Sequence, residues 1–386
     1  MNRLLLTITL ASLLVACSAP AEPGNEPGNE ADASSTMPAP STTAPTTTPP
    51  ATAAGDPSCE SVVADLSTRE QLAQLVVVGV EGGDPTATAA LVRDERIGGI
   101  FIGGNETALL TGDALDQVQQ AADVPVSVAV DDEGGRVQRL DMLDGDLPSA
   151  REMARTMTPE QVRALAEKRG QQLRARGVTV DYAPILDVTE GPADGVIGDR
   201  SFSGDPAVAR EYALAFANGL TGAGVQPVLK HFPGHGRAAG DSHASLVRTP
   251  PLAELREHDL VPYDRIEEYG DAAVMIGHLD VPGLTGGEAA SLSPATYRLL
   301  REDFGFAGPA VTDDLGAMRA VTDRYPLPEA VLAALRAGAD QALWSSGGPV
   351  GPVLDRLEEA VASGELPAER VRESLDRVLL AKGVCD

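Results

Sequence analysis

Val225-Gln-Pro-Val-Leu229 leads directly into Lys230-His-Phe-Pro-Gly-His-Gly-Arg-Ala-Ala-Gly-Asp-Ser-His243. The first run is short and mostly apolar, which reads as a strand covered on both faces. The second run, fourteen residues long, holds three of the chain's five histidines and one of its three lysines. Polar and titratable groups this dense are costly in a core, so their position after a buried strand suggests a site.

The same arrangement recurs along the chain. Further strand candidates are Leu75–Val80, Gly99–Ile102, Val126–Val130, Val178–Tyr182, Ala273–Ile276, Ala310–Thr312 and Gln341–Trp344, making eight with Val225–Leu229. Amphipathic stretches alternate with them, among them Pro159–Arg176, Pro206–Ala223, Leu252–Tyr269 and Pro328–Ala337. Asp205-Pro206 and Ser293-Pro294 read as a helix cap followed by a first-turn proline. Eight strands alternating with helices predict an α/β fold, a single (β/α)8 TIM-type barrel. An open doubly wound sheet is disfavoured, because Gly79-Val-Glu-Gly-Gly83 does not match the phosphate-loop fingerprint. Polar clusters follow five of the strands: Asp131–Arg139, Asp181–Asp187, Lys230–His243, Gly277-His278 and Asp313-Asp314. Barrels of this kind place their chemistry at those strand ends.

The barrel is expected over residues 58–386, with no second linker. Residues 1–16 carry Arg3, the apolar run Leu4–Val15 and small residues before a cysteine, the pattern of a secretory signal. Leu14-Val-Ala-Cys17 resembles a bacterial lipobox, which implies cleavage before Cys17, lipidation of that cysteine and a place on the outer face of the cell membrane. Residues 17–57 are rich in Pro, Thr and Ala and contain no aromatic residue, so they read as a disordered tether. The membrane is expected to be met through the N-terminal lipid only. The net charge of −27 argues against nucleic acid as a partner. Cys59 and Cys385 stand at the two ends of the folded part. Export to an oxidising compartment, and the closeness of a barrel's ends, predict a Cys59–Cys385 disulfide.

Several residues can carry chemistry. Alternate residues of a strand face opposite sides, so one of Asp313 and Asp314 can reach the barrel axis. That carboxylate is either a nucleophile or a helix cap. Asp241 and His243 can form an acid/base pair in which the carboxylate fixes the imidazole tautomer. Equally, Asp241 can brace its own loop and leave His243 solvated. Lys230, His231, Asp131 and Arg139 can bind a polar ligand. Arg136 or Arg139 can instead pair with Asp132 or Glu133. Arg200, in Ile197-Gly-Asp-Arg-Ser-Phe202, can bind ligand or tie down a long loop. His231, His235, His243, Asp241 and Asp313 offer zinc-type ligands, but no His-x-His strand end or His-Glu-x-x-His helix supports a metal. Neither metal nor cofactor is expected.

Together, Lys230-His-Phe-Pro-Gly-His-Gly, Asp241-Ser-His243, Asp131-x-Glu-Gly-Gly-Arg-Val-Gln-Arg139, Ile197-Gly-Asp-Arg-Ser-Phe202 and Thr312-Asp-Asp-Leu315 resemble the signature of glycoside hydrolase family 3 β-N-acetylglucosaminidases. The likeness runs from about Leu66 to Leu343. It implies Asp313 as nucleophile, His243 as general acid/base and Asp241 as its partner. It also implies that Asp131, Arg139, Arg200, Lys230 and His231 bind the N-acetylglucosamine unit and that Asp314 is a supporting residue. His235, in the stretch Phe232–Gly240 that joins Lys230-His231 to Asp241–His243, reads as structural rather than catalytic. Asp132 departs from the family's usual glutamine and places an extra charge beside Asp131. The opening of Glu288-Ala-Ala-Ser-Leu-Ser-Pro294 also departs slightly. The expected activity is a retaining exo-hydrolase, working as a monomer on N-acetylglucosamine-containing cell-wall fragments. The glycine- and proline-rich loop Phe232–Ser242 is expected to move and bring His243 over the sugar. Alternatives are a phosphorylase on the same scaffold, a metal-dependent barrel hydrolase and a non-catalytic sugar-binding lipoprotein.

Overall fold

The computed structural model describes residues 57–80, 83–105 and 107–385. The expected signal sequence, Cys17 and the tether as far as residue 56 lie outside the described residues. A helix, Pro57–Ala64, begins one residue before the expected start of the folded part.

The strands, numbered in chain order, are β1 (Val76–Gly79), β2 (Gly99–Ile102), β3 (Ser127–Val130), β4 (Val180–Asp181), β5 (Gln226–Phe232), β6 (Val247–Arg248), β7 (Ala273–Ile276), β8 (Leu279–Asp280), β9 (Ala310–Thr312) and β10 (Ala342–Trp344). Eight of them form one parallel sheet in the order β10-β1-β2-β3-β4-β5-β7-β9. A parallel bridge between Val311 and Gln341 brings the two edges together. Across that seam the Thr312 N–H donates to the Gln341 carbonyl at 3.0 Å, and the Leu343 N–H to the Thr312 hydroxyl at 3.0 Å. The result is an eight-stranded barrel with mixed helices outside it.

The strand alternation explains the two hydrophobic layers. Val77, Phe101, Ala129, Tyr182, Met275 and Leu343 belong to a cluster that fills the barrel interior. Phe101 and Tyr182 stack there with ring centroids 5.5 Å apart. Their strand neighbours, such as Val76, Val78, Ile100 and Ile102, join the larger core shared with the helices. Both faces of each strand are therefore dry, as their short apolar runs require.

Thr158 caps the helix Pro159–Ala175 with a capping box, and Asp205 caps Pro206–Gly222 through the N–H groups of Ala207 and Val208. Ser293 differs from expectation. Its side chain makes no cap bond, and Pro294–Arg298 is a five-residue helix. The expected helix over Leu252–Tyr269 is also broken. It is the helix Leu252–Glu257 followed by tight turns at Val261–Tyr263 and Ile266–Tyr269. Pro262 cannot donate a helical hydrogen bond, and Arg265 stands at a φ of 56°, in the left-handed region.

Two strands lie outside the barrel. β6 and β8 pair in parallel, Val247 with Leu279 and Arg248 with Asp280. An antiparallel bridge joins Ala239 to Arg248. The long loop after β5 is thus laid against the short segment after β7. At the opposite limit of the described chain, Cys59 and Cys385 are joined by a disulfide that links residues 326 positions apart.

Candidate active site

β5 runs through Lys230, His231 and Phe232, three residues beyond its expected end. Its pairing with β7 shifts register between Leu229 and Phe232. Such an irregularity re-aims side chains where a strand meets a site. Both Lys230 and His231 line a cavity of about 540 Å³ at the strand ends. Asp131, Arg139, Arg200, His243 and Asp313 line it as well. Asp241 is not among the lining residues but touches one of them, His243.

One half of the cavity is a charged network. Lys230 Nζ lies 2.5 Å from Asp131 Oδ1 and 2.7 Å from Glu133 Oε1. Arg200 grips Glu133 with two parallel bonds of 2.8 and 2.7 Å. The Arg139 guanidinium comes within 3.7 Å of Asp131. Burial alone would raise the Glu133 carboxyl, but Arg200 and Lys230 outweigh it and hold the group well below the usual carboxylate range. Burial likewise works against the Lys230 ammonium, yet Asp131 and Glu133 keep its pKa above the ordinary lysine value. These groups therefore stay charged, and Lys230, with Asp131, Arg139 and Arg200, presents fixed donors and acceptors to the cavity.

The three acidic residues after β3 divide as an extended segment must. Asp131 and Glu133 turn to the network, while Asp132 turns into the wall and is fully buried. Asp132 accepts from the N–H groups of Arg139 and Leu140, both at 3.0 Å, and lies 3.8 Å from Arg169. Its charge is therefore not presented beside Asp131 in the cavity, contrary to expectation. The alternative pairings for Arg136 and Arg139 also fail. Arg136 pairs with Asp199 at 3.1 Å and holds the carbonyls of Gly195, Val196 and Ile197.

A buried carboxylate supports the histidine side. Asp187 Oδ2 lies 2.6 Å from His231 Nδ1, and its Oδ1 accepts from the His235 N–H at 2.6 Å. Burial would raise Asp187, but His231 and His235 hold it below the usual range. The chain then turns sharply. Gly234 has a φ of 124°, and a Cβ at Gly236 would stand 2.2 Å from the Val188 carbonyl oxygen. Only glycine fits either position.

Asp241 does both things its sequence allowed. Its Oδ1 accepts from the His243 N–H at 2.9 Å and lies 2.8 Å from His243 Nδ1. Burial would raise the Asp241 carboxyl, and the two His243 donors more than offset that. With Nδ1 engaged, His243 has Nε2 left for proton transfer.

Asp313 and Asp314 also separate by role. Asp314 Oδ1 accepts from the N–H groups of Gly316, Ala317 and Ser345, and Oδ2 takes the Ser345 hydroxyl. Asp314 is thus the loop cap. Asp313 Oδ1 accepts only the Asp314 N–H at 2.9 Å, and its Oδ2 has no hydrogen-bond partner among the described residues. Burial would raise the Asp313 carboxyl, but His278, His231 and the Asp314 N–H hold it below its ordinary value. His278 is buried between the Ser291 hydroxyl, 2.7 Å away, and the Asp314 carbonyl, 2.9 Å away. Burial lowers its pKa. Among the described residues no group of three or more His, Cys, Asp or Glu is placed to hold a metal ion.

Sequence reasoning gave no role to Asp187 or His278, and weighed Glu133 only as an arginine partner. Glu133 had a signal, since it stands two residues from Asp131 and shares its side. Asp187 had a weaker one, as a lone acid closing the apolar run Ala183-Pro-Ile-Leu.

The barrel mouth thus brings together Asp313, with one carboxylate oxygen left open, the Asp241-supported His243, and the charged groups Asp131, Arg139, Arg200 and Lys230. The glycosyl hydrolase family 3 N-terminal domain matches residues 67–381. β-Hexosaminidase LpqI of Mycobacterium tuberculosis is 48% identical over 380 residues, covering 97% of this chain and 95% of that protein. A family 3 glycosyl hydrolase from Mycobacterium smegmatis superposes with a TM-score of 0.81 at 52% identity, covering 84% of this chain and 99% of that one. A family 3 β-N-acetylglucosaminidase from a Paenibacillus species gives a TM-score of 0.76 at 30% identity, covering 82% of this chain and 62% of that one. The chain belongs to glycosyl hydrolase family 3, and it is a glycoside hydrolase related to the β-hexosaminidases.

Proposed function

We propose that the chain is a retaining exo-β-N-acetylglucosaminidase. It would remove terminal β-1,4-linked N-acetylglucosamine from cell-wall fragments. The observation that carries this reading is the shared cavity. Asp313, with a carboxylate oxygen left open, and His243, held by Asp241, line it together with Lys230, Arg200 and Asp131.

In the first step Asp313 attacks the anomeric carbon while His243 Nε2–H gives its proton to the departing glycosidic oxygen. A covalent glycosyl-aspartate forms and the C–O bond breaks. In the second step neutral His243 takes a proton from water, which attacks the same carbon and frees Asp313. Retaining glycosidases usually pair two carboxylates, and here a carboxylate-supported histidine stands in for one. Lys230, Asp131, Arg139, Arg200 and His231 hold the sugar hydroxyls and amide, so that the anomeric carbon meets Asp313.

The histidine also favours a second acceptor. His243 is 66% exposed in its side chain, and as a neutral base it repels an incoming anion less than a carboxylate would. Inorganic phosphate could therefore replace water. A chromogenic N-acetyl-β-glucosaminide, tested beside the glucoside, xyloside and N-acetylgalactosaminide, is expected to be the substrate turned over fastest. No turnover of it would overturn the reading. Added phosphate tests the second acceptor, and a product free of sugar 1-phosphate leaves hydrolysis alone.

The lipobox-like segment supports export and anchoring through Cys17. Palmitate labelling in a bacterial host is expected to mark the full chain and to vanish in Cys17→Ala. Labelling that persists would overturn the anchor.

A further inference from the structure

We propose that His235 and Ser242 form a latch, a buried positioning pair that fixes the loop carrying Asp241 and His243 to the rigid end of β5. The role rests on the proposed acid/base function of that loop.

The loop has a positioning problem. Asp241 and His243 are 44% and 66% exposed in their side chains, so packing cannot aim them. Ser242 between them is 2% exposed. Its hydroxyl lies 3.1 Å from His235 Nε2. His235 is itself 4% exposed, and its N–H is tied to Asp187 Oδ1. The other oxygen of Asp187 holds His231, a proposed sugar-binding group. One buried carboxylate therefore anchors the sugar clamp and the latch together. Burial lowers the His235 pKa and so favours the neutral ring, which offers one donor and one acceptor. It can pair with a hydroxyl in either tautomer.

Two backbone bonds complete the seat. The Ala320 N–H donates to the Ser242 carbonyl at 3.2 Å, and the Arg319 N–H to the His243 carbonyl at 3.3 Å. Those bonds set where the loop rests. The Ser242 hydroxyl ties it to the His235 ring, and the His235 backbone N–H is held by Asp187, which also holds His231.

Ser242→Ala removes the latch and leaves His235 Nε2 unpaired in a buried place. Amide hydrogen exchange across residues 238–246 is expected to rise by about tenfold, with 226–232 unchanged. A misplaced acid costs rate only where the leaving group needs a proton. The kcat/KM for an alkyl N-acetyl-β-glucosaminide should fall by about tenfold, and that for a dinitrophenyl glycoside by less than about twofold. Inhibition by free N-acetylglucosamine should change by less than about twofold, because the clamp is untouched. Ser242→Thr should restore the alkyl glycoside rate. Should Ser242→Ala not fold, Ser242→Cys is read in the same way. Unchanged exchange across the loop, or equal losses on both substrates, would overturn the latch. Wild-type protein that turns over no N-acetyl-β-glucosaminide would overturn the functional reading instead, and the exchange measurement would still decide whether the loop is latched.

Discussion

Asp313→Ala is expected to lower kcat/KM for an aryl N-acetyl-β-glucosaminide by about four orders of magnitude, with little change in thermal stability. The size follows from what Asp313 alone can do. Its Oδ1 is held by the Asp314 N–H, Oδ2 has no partner among the described residues, and its surroundings keep it ionised. Asp314 cannot replace it, because both its oxygens are spent on the loop and on Ser345. The chemistry of rescue makes the test specific. With the side chain truncated, azide can enter the space it leaves and attack the anomeric carbon from that face. The product is then the α-glycosyl azide, the inverse of the wild-type stereochemical course. Purified Asp313→Ala that keeps more than about a hundredth of wild-type kcat/KM would remove Asp313 from the nucleophile's role.

The barrel was legible because parallel strands buried on both faces must be short apolar runs, and such runs stand out between amphipathic stretches. β6 and β8 were not legible. A two-residue strand carries no period, and its pairing depends on the loop after β5 folding back to the segment after β7. The break inside Leu252–Tyr269 carried a local signal at Pro262, which the surrounding helical spacing masked. At the site, strand-end position exposed Asp131, Lys230, His231 and Asp313 as candidates. Their supporting partners were hidden by distance along the chain. Asp187 meets His231 across 44 positions, and Glu133 meets Arg200 across 67. No spacing rule reaches that far, and only closure of the barrel brings those strand ends to one mouth. The orientation of Asp132 was decidable in principle, since alternation turns it away from Asp131. Reading it by adjacency alone placed its charge on the wrong side of the wall.

Glu133→Gln is expected to destabilise the protein by about 3 kcal/mol and to raise KM well above its effect on kcat. The Glu133 side chain is 3% exposed and faces two cations, Arg200 and Lys230, at 2.7 Å each. With Arg139 nearby, three cations share two carboxylates, and the substitution leaves them only Asp131. Glutamine makes this worse than a simple loss of charge. Its carbonyl can accept from one cation, but its amide presents donors to groups that are donors themselves. Lys230 and Arg200 would then shift, and both line the cavity proposed to take the sugar. At pH 7 the unfolding midpoint should fall by about 5–10 °C. The difference must also depend on pH in a fixed direction. Glu133 is held below its unfolded value, so its stabilisation is complete above the ordinary glutamate pKa near 4.3. It is lost as pH falls below that value towards the depressed one. The gap between wild type and Glu133→Gln should therefore be constant from about pH 6 to 8 and narrow steadily below about pH 4.5. Denaturant unfolding of both proteins across that range is the measurement. A gap that widens on acidification, or is absent at pH 7, would show that Glu133 is not the counter-charge holding Lys230 and Arg200 at the barrel mouth.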